Sequence, residues 1–487
     1  MAEFFKYALI LVYVALTYGL SLWGMRKAST LKGFSIGNRD MSAPLIGLTL
    51  AASIASTATF VINPGFVYTH GLSAYLHYGV AGFLGIAAAL ITLSKGFRSL
   101  ERDEAVLTIP HWIRIRYGSR PLALFFACIN LLSITFVVLI LVGCAILCAG
   151  LFGIPQKLAL MLVLLFVFSY VLLGGAYAHA YTNAFQGGLM VVISLIVFIG
   201  GLKYLDGGFL AKLTSVSANF AAPFNPESSL YHDAFSVLIS SFLITFALMM
   251  QPHILTKVLY LKDDGQIKGF LTTALIAGLV FTLMLFVGFF ARLKGLEIAE
   301  QDKVVVTYIG AEFGGSVAGR MVLALISVAL LAAGMSTLDG ILVALSAMVV
   351  NDMVLPFTKG QIASERGLAL SRYVLVAVAL IAFALAWNPP RLVGLFAQKG
   401  VYGIAAASFV PIVLGVWLKG RIPTWIAGVA AVTGLGGHLA LNLLFDVRNP
   451  SVSASWAMIA SLTLAGLLLW IHRMIALQAN PIAGGNP

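Results

Sequence analysis

Two adjacent hydroxyl groups and one carboxyl group interrupt a long apolar run of this chain. Ser336, Thr337 and Asp339 lie within residues 321–350, which in helical form are long enough to cross ~30 Å of hydrocarbon. An ionisable side chain there costs about 2.5–3.5 kcal/mol, so Asp339 should face a cavity, a cation or another polar group. Hydroxyl oxygens and the carbonyl oxygens of an interrupted helix are hard, neutral ligands that suit a small monovalent cation. The run is therefore a candidate cation site.

The same residues also allow a purely structural interpretation. Ser and Thr side chains in membrane helices often donate to the carbonyl group one turn earlier, and Asp339 can pair with a nearby polar group instead of a cation. Adjacent helical positions point about 100° apart, so Ser336 and Thr337 border one site only where a neighbouring helix wraps around them. Because no basic residue stands close to Asp339 in the run, an isolated carboxyl group is expected, which would bind a cation or carry a proton.

The composition places the chain among polytopic membrane proteins. Hydrophobic residues make up 60% of its 487 residues, charged residues make up 10%, and the mean hydropathy is +1.00. The net charge of +12 is dispersed over short loops, which is typical of loops facing the cytoplasm and does not indicate a nucleic-acid partner. Cys128, Cys144 and Cys148 lie in one apolar segment without the spacing of a metal site. The composition therefore predicts that the protein lies in the lipid bilayer.

Thirteen apolar segments are predicted to span the membrane as helices, so the predicted fold is an all-α membrane protein in one transporter domain, residues 1–487. The segments cover residues 4–24, 43–67, 73–97, 121–152, 156–173, 182–204, 231–256, 267–292, 319–350, 371–388, 392–417, 423–445 and 454–473. Residues 1–42 are interpreted as an extra N-terminal helix with a cytoplasmic loop, and residues 423–473 as two extra C-terminal helices.

Basic residues in the loops predict the orientation of these segments. The loop after the first span holds Arg26, Lys27, Lys32 and Arg39, and the loop after the third is also rich in arginine. By the positive-inside rule both loops lie in the cytoplasm, and alternation then places the Lys257–Lys268 loop there as well. The N-terminus is therefore expected outside, and the C-terminus in the cytoplasm, of a protein of the cytoplasmic inner membrane.

Two spans contain a proline that interrupts a continuous helix. The second contains Asn63-Pro64-Gly65, and the seventh ends in Gln251-Pro252-His253. They are the first helices of two five-helix halves if residues 43–204 and 231–417 form repeats. Matching interruptions indicate an inverted-repeat transporter with a binding site near the middle of the membrane. Backbone N–H groups freed near Asn63–Gly65 would receive an anionic group of a solute.

Several motifs lie in order on the predicted spans. Gly174–Gln186 holds a Gly-Gly pair, then Thr-Asn, then Gln, and Ala333–Gly340 holds the adjacent hydroxyls. Gln251–Leu255, Ile109–Gly118 and Phe409–Trp417 support these two. Together they resemble the sodium:solute symporter family, which includes proline, pantothenate, acetate, sugar and sialic acid symporters. The resemblance covers nearly the whole chain and implies the five-plus-five inverted-repeat fold of LeuT-type transporters, with a broken first helix in each half.

The resemblance implies a sodium site. Carried over residue by residue, its ligands are the carbonyl groups of Ala51, Ile54 and Ala333 and the hydroxyl groups of Ser336 and Thr337. This set includes Ser336 and Thr337, the hydroxyl pair that residue types alone already indicate as a candidate cation site.

One position departs from the family pattern. Asn183 stands where the Thr-Asp motif has an acid that several members use for sodium coupling or for a second sodium. Asp339 lies two residues after Thr337, on the helix that lines the second cation site in members that have one. Asp339 with Asn183 is therefore a possible second cation or coupling site, in which the acid has moved to another helix. The alternative is a structural acid and a single sodium.

The resemblance is less informative about the solute. Proline permease has Trp and Tyr eight and four residues before the Pro of its Gln-Pro-His, where this chain has Ile244 and Leu248. The Pro-His-Ile-Leu sequence is closer to the monocarboxylate and acetate branch, which favours a carboxylate. His253 is either a counter-charge or a loop hydrogen-bonding residue. The candidate pocket residues are Ser56, Thr57, Phe60, Asn63, Ile244, Leu248, Gln251 and His253.

These features predict sodium-coupled uptake of a small organic solute by alternating access, with sodium as the coupling ion and no other cofactor. The expected solute is a monocarboxylate, pantothenate or an amino acid, and a sugar-type solute is an alternative. A transporter-like membrane sensor is a different class of hypothesis, and Ile475–Pro487 is too short for an output domain, so it would need a partner. No Ser/His/Asp order, zinc motif or pair of acids in the sequence supports an enzyme.

Overall fold

The protein folds as a bundle of helices. A computed structural model describes residues 2–27, 31–100, 106–358, 364–390 and 392–479, and among these residues there is no β-strand. In chain order the membrane helices are α1 (Ala2–Lys27), α2 (Ala43–Ile54), α3 (Ala58–His70), α4 (Leu72–Ser99), α5 (Arg120–Gly150), α6 (Gln156–Leu172), α7 (Gly175–Leu205), α8 (Phe235–Leu248), α9 (Pro252–Tyr260), α10 (Asp264–Leu293), α11 (Val317–Phe357), α12 (Ala369–Ala386), α13 (Val393–Trp417), α14 (Thr424–Leu443) and α15 (Pro450–Ala476). Shorter helices in the loops include Leu31–Ile36, Ile109–Tyr117, Phe209–Val216 and Val304–Phe313.

The all-helical membrane fold is confirmed, and the count of thirteen spans is approximate. Ten helices of the described residues are long and apolar enough to cross a bilayer, or twelve if each of two bent pairs is one span. The remaining predicted segment corresponds to α6, a shorter apolar helix. The bent pairs are α2 with α3, at 56°, and α8 with α9, at 65°. Broken helices therefore stand at the first position of both predicted halves.

The break between α2 and α3 lies earlier than the proline predicts. The helix stops at Ile54, where the Ser56 N–H donates to the Ile54 carbonyl group at 3.0 Å, and Ser56 Oγ then accepts from the Ala58 N–H at 3.1 Å. Ser56 thus caps the start of α3. Pro64 lies inside α3, after a wide turn in which the Asn63 N–H donates to the Ala58 carbonyl group. This turn gives the proline ring room, and it leaves the Asn63 N–H bonded within the helix instead of free for an anionic group.

The break between α8 and α9 lies at the predicted proline. Gln251 is extended, with φ −65° and ψ 147°, and Pro252 begins the next helix, a position that its missing N–H favours. The Gln251 carbonyl group accepts from the Ile254 and Leu255 N–H groups, both at 3.0 Å. The helix then continues to Tyr260, which places Lys257 inside the bundle at 1% exposure. Its assignment to a cytoplasmic loop is therefore wrong.

A third change of direction separates α6 from α7. Gly175 has φ 55° and ψ −147°, a conformation open to glycine and costly for other residues. The helix after it begins at residue 175, not at the predicted 182, and so includes His179. His179, Thr182, Asn183 and Gln186 recur at the spacing of one helical face, and all four are buried. This face meets α11, which is buried over most of its length.

Basic loops predicted to share one side of the membrane meet in the structure. Arg98 at the end of α4 contacts Asp264 at the start of α10, and its guanidinium also donates to the Lys262 carbonyl group at 2.8 Å. Arg116 donates to the carbonyl groups of Gly415, at 2.6 Å, and Leu418, at 2.8 Å. The loops that follow α4, α9 and α13 therefore lie on one face of the bundle.

Candidate functional site

The hydroxyl pair of α11 packs against the end of α2. Ser336 Oγ donates to the Ala52 carbonyl group at 2.8 Å and to the Ala333 carbonyl group at 2.9 Å, and Thr337 Oγ1 donates to the Ser53 carbonyl group at 2.9 Å. The two hydroxyls thus reach a second helix, as a shared site requires. Only Ser336 also makes the bond within its own helix that a purely structural role predicts.

The carbonyl groups predicted as sodium ligands lie at the same helix end but have other bonds. The Ala51 carbonyl group accepts from the Ala55 N–H at 2.9 Å, and that of Ile54 accepts from the Ser56 N–H at 3.0 Å. The carbonyl groups that the hydroxyls contact are those of Ala52 and Ser53, between them. The structure therefore brings the five predicted residues together. The two hydroxyl groups, however, bond to the carbonyl groups of Ala52 and Ser53, each one residue away from a predicted ligand, Ala51 or Ile54.

A third helix completes this group of oxygen atoms. Asn183 Nδ2, on α7, donates to Ser53 Oγ at 3.1 Å and to the Ser336 carbonyl group at 2.5 Å. Asn183 Oδ1 is buried and has no hydrogen-bond partner among the described residues. Helices α2, α7 and α11 thus converge on carbonyl, hydroxyl and amide oxygens, which are ligand types that suit a hard monovalent cation.

Asp339 has close partners, which corrects the expectation of an isolated acid. His179 Nδ1 lies 2.9 Å from Asp339 Oδ1, and the Tyr170 hydroxyl donates to Oδ2 at 3.4 Å. The buried Lys257 borders the same small cavity as His179. Gly340 allows this arrangement, because a Cβ atom there would lie 2.9 Å from the His179 ring. Asp339 therefore pairs with nearby polar groups, as the alternative interpretation held.

A cavity of about 180 Å³ lies between the two broken helices. Its wall is mostly apolar, with polar groups at a few positions. The predicted pocket residues that line it are Ser56, Asn63, Ile244, Leu248, Gln251 and His253. Ser53 and Ile54 line it as well, so the end of α2 borders both the cavity and the oxygen cluster.

Two predicted pocket residues point elsewhere. Thr57 follows Ser56 directly and faces away from the cavity, where its hydroxyl lies 3.8 Å from Cys144 Sγ on α5. Phe60 packs edge-on against Phe281, with ring centroids 5.4 Å apart, and is fully buried. Neither residue is among those that line the cavity, because consecutive residues after the break face different sides.

Gln251 and His253 carry the clearest unsatisfied polar atoms of the cavity. Gln251 Oε1 and His253 Nε2 are buried without a hydrogen-bond partner in the described part of the chain. A buried polar atom without a partner is costly, so a solute that offers hydrogen bonds to both would be stabilised here.

Sequence reasoning missed several polar residues of the same cavity. His77 and Tyr78 on α4 and Gln398 and Tyr402 on α13 also line it. The Tyr78 hydroxyl lies 2.8 Å from the Tyr231 hydroxyl and accepts from Gln398 Nε2 at 3.5 Å. The spacing of Gln398 and Tyr402, one turn apart in an apolar helix, is a signal that could have identified them.

Comparison with known proteins defines the class. Residues 34–422 match the profile of the sodium:solute symporter family. A sodium/pantothenate symporter of Haemophilus influenzae is 27% identical over 451 residues, covering 89% of this chain and 90% of that protein. The high-affinity proline transporter PutP of Bacillus subtilis is 24% identical, covering 85% and 87%. A solved structure of a Na+-coupled sialic acid symporter, in a substrate-bound outward-open state, has a TM-score of 0.74 at 17% identity, covering 95% and 97%.

A bundle with two broken helices around a central cavity, beside a cluster of oxygen ligands, defines a secondary transporter. The chain belongs to the sodium:solute symporter family. It is accordingly a multi-pass membrane transporter and not an enzyme, with sodium as the coupling ion and a small solute as the partner.

Proposed function

We propose that the protein takes up a small carboxylate-bearing solute together with sodium, and that the solute occupies the cavity between α2–α3 and α8–α9. Among carboxylates we favour a pantothenate-like molecule, because a sodium/pantothenate symporter aligns over 90% of its length. The mostly apolar wall suits an extended solute body, and Gln251 and His253 provide hydrogen bonds at one end. Ile244 and Leu248, in place of the Trp and Tyr of proline permease, make proline a poorer fit.

The sodium ion is proposed to bind at the end of α2, with ligands from Ala51, Ile54, Ala333, Ser336 and Thr337. Asn183 would belong to the coupling site through Oδ1, which has no hydrogen-bond partner among the described residues, and Asp339 is the position at which a second cation would bind if the protein carries one. The observation that carries the proposal is that Ser53 belongs to both sites. Its carbonyl group accepts from Thr337, its hydroxyl accepts from Asn183, and it borders the solute cavity. Binding at one site therefore changes the geometry of the other, which is the physical basis of coupling.

The available driving force is sufficient for concentrative uptake. One sodium ion crossing roughly 100 mV supplies about 2.3 kcal/mol, and a tenfold sodium gradient adds about 1.4 kcal/mol. Together these support an accumulation of a neutral solute of a few hundred-fold. A singly charged carboxylate carried with one sodium ion moves no net charge, so the sodium gradient alone supports its accumulation by about tenfold.

Residues 43–204 and 231–417 are proposed as the two inverted repeats, which would move relative to each other around the fixed site. We further propose that the N-terminus lies outside and the C-terminus in the cytoplasm, because the basic loops share one face of the bundle.

Uptake into proteoliposomes tests this function. The panel contains radiolabelled pantothenate, short monocarboxylates, proline and a sugar, each with an inward sodium gradient and with potassium in its place. Sodium-dependent accumulation of pantothenate or another carboxylate is expected. Sodium-dependent uptake of the sugar alone would replace the carboxylate assignment with the sugar-type alternative. Accumulation that is equal in potassium would contradict sodium coupling.

A further inference from the structure

Lys257 is a buried basic residue that the transport site described above does not use. It lies on α9, the second half of a broken helix, and is 1% exposed. Its Nζ donates to the carbonyl group of His253, one turn earlier on the same helix. A buried ammonium group is costly unless a negative charge compensates for it, so Lys257 needs a counter-charge inside the bundle.

Asp339 is a buried acidic side chain near Lys257, and both residues are 1% exposed. His179 holds the Asp339 carboxyl group at 2.9 Å and also borders, with Lys257 and Gly340, a small cavity of about 20 Å³. That volume is close to what one water molecule needs, so only a small space separates Lys257 from His179, the partner of Asp339.

The placement of Lys257 argues against contact with the solute. Gln251 and His253 line the large cavity, whereas Lys257 borders only the small one among the cavities described here. The small cavity instead places Lys257 beside Gly340 of α11, the helix that carries Ser336 and Thr337. A buried carboxylate and a buried ammonium that are each unfavourable alone become tolerable when they compensate each other.

We propose that the Lys257 ammonium is a built-in cation that compensates the Asp339 charge, so that no second sodium ion is carried at this position. The proposal rests on the sodium-coupled function proposed above and specifies its stoichiometry. A mobile cation at Asp339 would be repelled by Lys257, and removal of the ammonium would leave a carboxyl group and a cavity where a sodium ion can bind. The pair also connects α9 to the sodium-site helix, two elements from the second half of the fold.

Equilibrium binding of radioactive sodium to the purified full-length protein tests the proposal. The wild type should bind about one ion per chain, and Lys257→Met, which keeps the side-chain length, should bind about two. Lys257→Arg keeps the charge and should bind about one, as should the double variant Lys257→Met/Asp339→Asn. A Lys257→Met protein that binds no more sodium than the wild type overturns the proposal.

Thermal unfolding of the same four proteins and of Asp339→Asn provides a readout that does not depend on sodium. If the charges compensate each other, each neutral single variant lowers the melting temperature, and the double variant lowers it by clearly less than the sum. Additive effects overturn the pairing. If the wild type binds no sodium while the unfolding temperatures are coupled, the sodium-coupled function fails but the Lys257–Asp339 pair stands.

Discussion

Ser53 contacts both of the proposed binding sites. Its carbonyl group accepts from Thr337 on α11, and its hydroxyl accepts from Asn183 on α7 and also donates to the Thr49 carbonyl group at 2.9 Å. Since Ser53 also borders the solute cavity, a cation that reorients Thr337 moves the wall that a solute contacts. Coupling at this site therefore needs only small displacements of residues already in contact.

Removal of the hydroxyl pair should weaken sodium binding without unfolding the protein. Ser336→Ala/Thr337→Ala is expected to raise the sodium concentration for half-maximal uptake by about tenfold or more, because two ligand oxygens are lost. Sodium titration of uptake in proteoliposomes measures this. Ser327→Ala is the matched control, since Ser327 Oγ donates only within its own helix, to the Leu323 carbonyl group at 2.9 Å. Equal sodium dependence in the wild type, the double variant and Ser327→Ala would show that the two hydroxyl groups are not sodium ligands.

Gln251 should contribute to solute binding and Thr57 should not. Gln251→Leu removes the buried, unpartnered Oε1 from the cavity and is expected to raise the solute KM by about fivefold to tenfold. Thr57→Ser, next to the same region of the cavity but facing α5, should leave the KM within about twofold. Initial uptake rates over a range of solute concentrations give both values. A larger effect of Thr57→Ser than of Gln251→Leu would contradict the side-chain directions described above.

The residues that sequence reasoning found and missed differ in a physical way. Ser336, Thr337 and Asp339 were visible because polar groups are rare in an apolar run. Lys257 and His179 were missed because each stands near a segment end, where a charged or polar side chain is ordinarily solvated. Only the continuation of α9 to Tyr260 and the start of α7 at Gly175 bring those two side chains into the bundle.

At the scale of elements, the position of a proline predicts one of the two helix breaks correctly and the other incorrectly. Pro252 stands at the start of α9, as predicted, whereas Pro64 lies within α3 and the break before it is made by Ser56. A proline in the sequence does not by itself distinguish a helix start from a wide turn inside a helix, since both tolerate a residue without a backbone N–H. The sequence predicts a loop between residues 173 and 182, and the Gly-Gly pair within it does not indicate that the chain turns at Gly175 alone.

Gly175 should be more sensitive to substitution than a nearby glycine in the same helix. Gly175→Ala forces a Cβ atom onto φ 55° and ψ −147°, at an expected cost of about 1–3 kcal/mol. Gly188→Ala, which meets nothing within 4 Å in a regular part of α7, should be neutral or slightly stabilising. Thermal unfolding in detergent compares the two variants with the wild type. Similar melting temperatures for both variants would mean that the chain does not need this conformation between α6 and α7.

The basic loops after α4, α9 and α13 lie on one face of the molecule, and this asymmetry predicts its orientation. Arg98 and Arg116 bind backbone carbonyl groups of the loops after α9 and α13, so the loops of that face are held together by cationic side chains. Moving such a face across a bilayer is unfavourable, so the positive-inside rule predicts that this face is cytoplasmic. The opposite face carries the helix Phe209–Val216, in the loop after α7.

Single cysteines on the two faces should respond oppositely to a membrane-impermeant maleimide. In a Cys128→Ala background, which removes the exposed native thiol and keeps the buried Cys144 and Cys148, Ala211→Cys should label in intact cells. Lys419→Cys, also at an exposed position, should label only after permeabilisation, because its loop lies beside Arg116 on the basic face. The background protein without a new cysteine measures unspecific labelling. Labelling of Lys419→Cys but not Ala211→Cys in intact cells would invert the orientation, and sodium would then enter the cycle from the other side of the bundle.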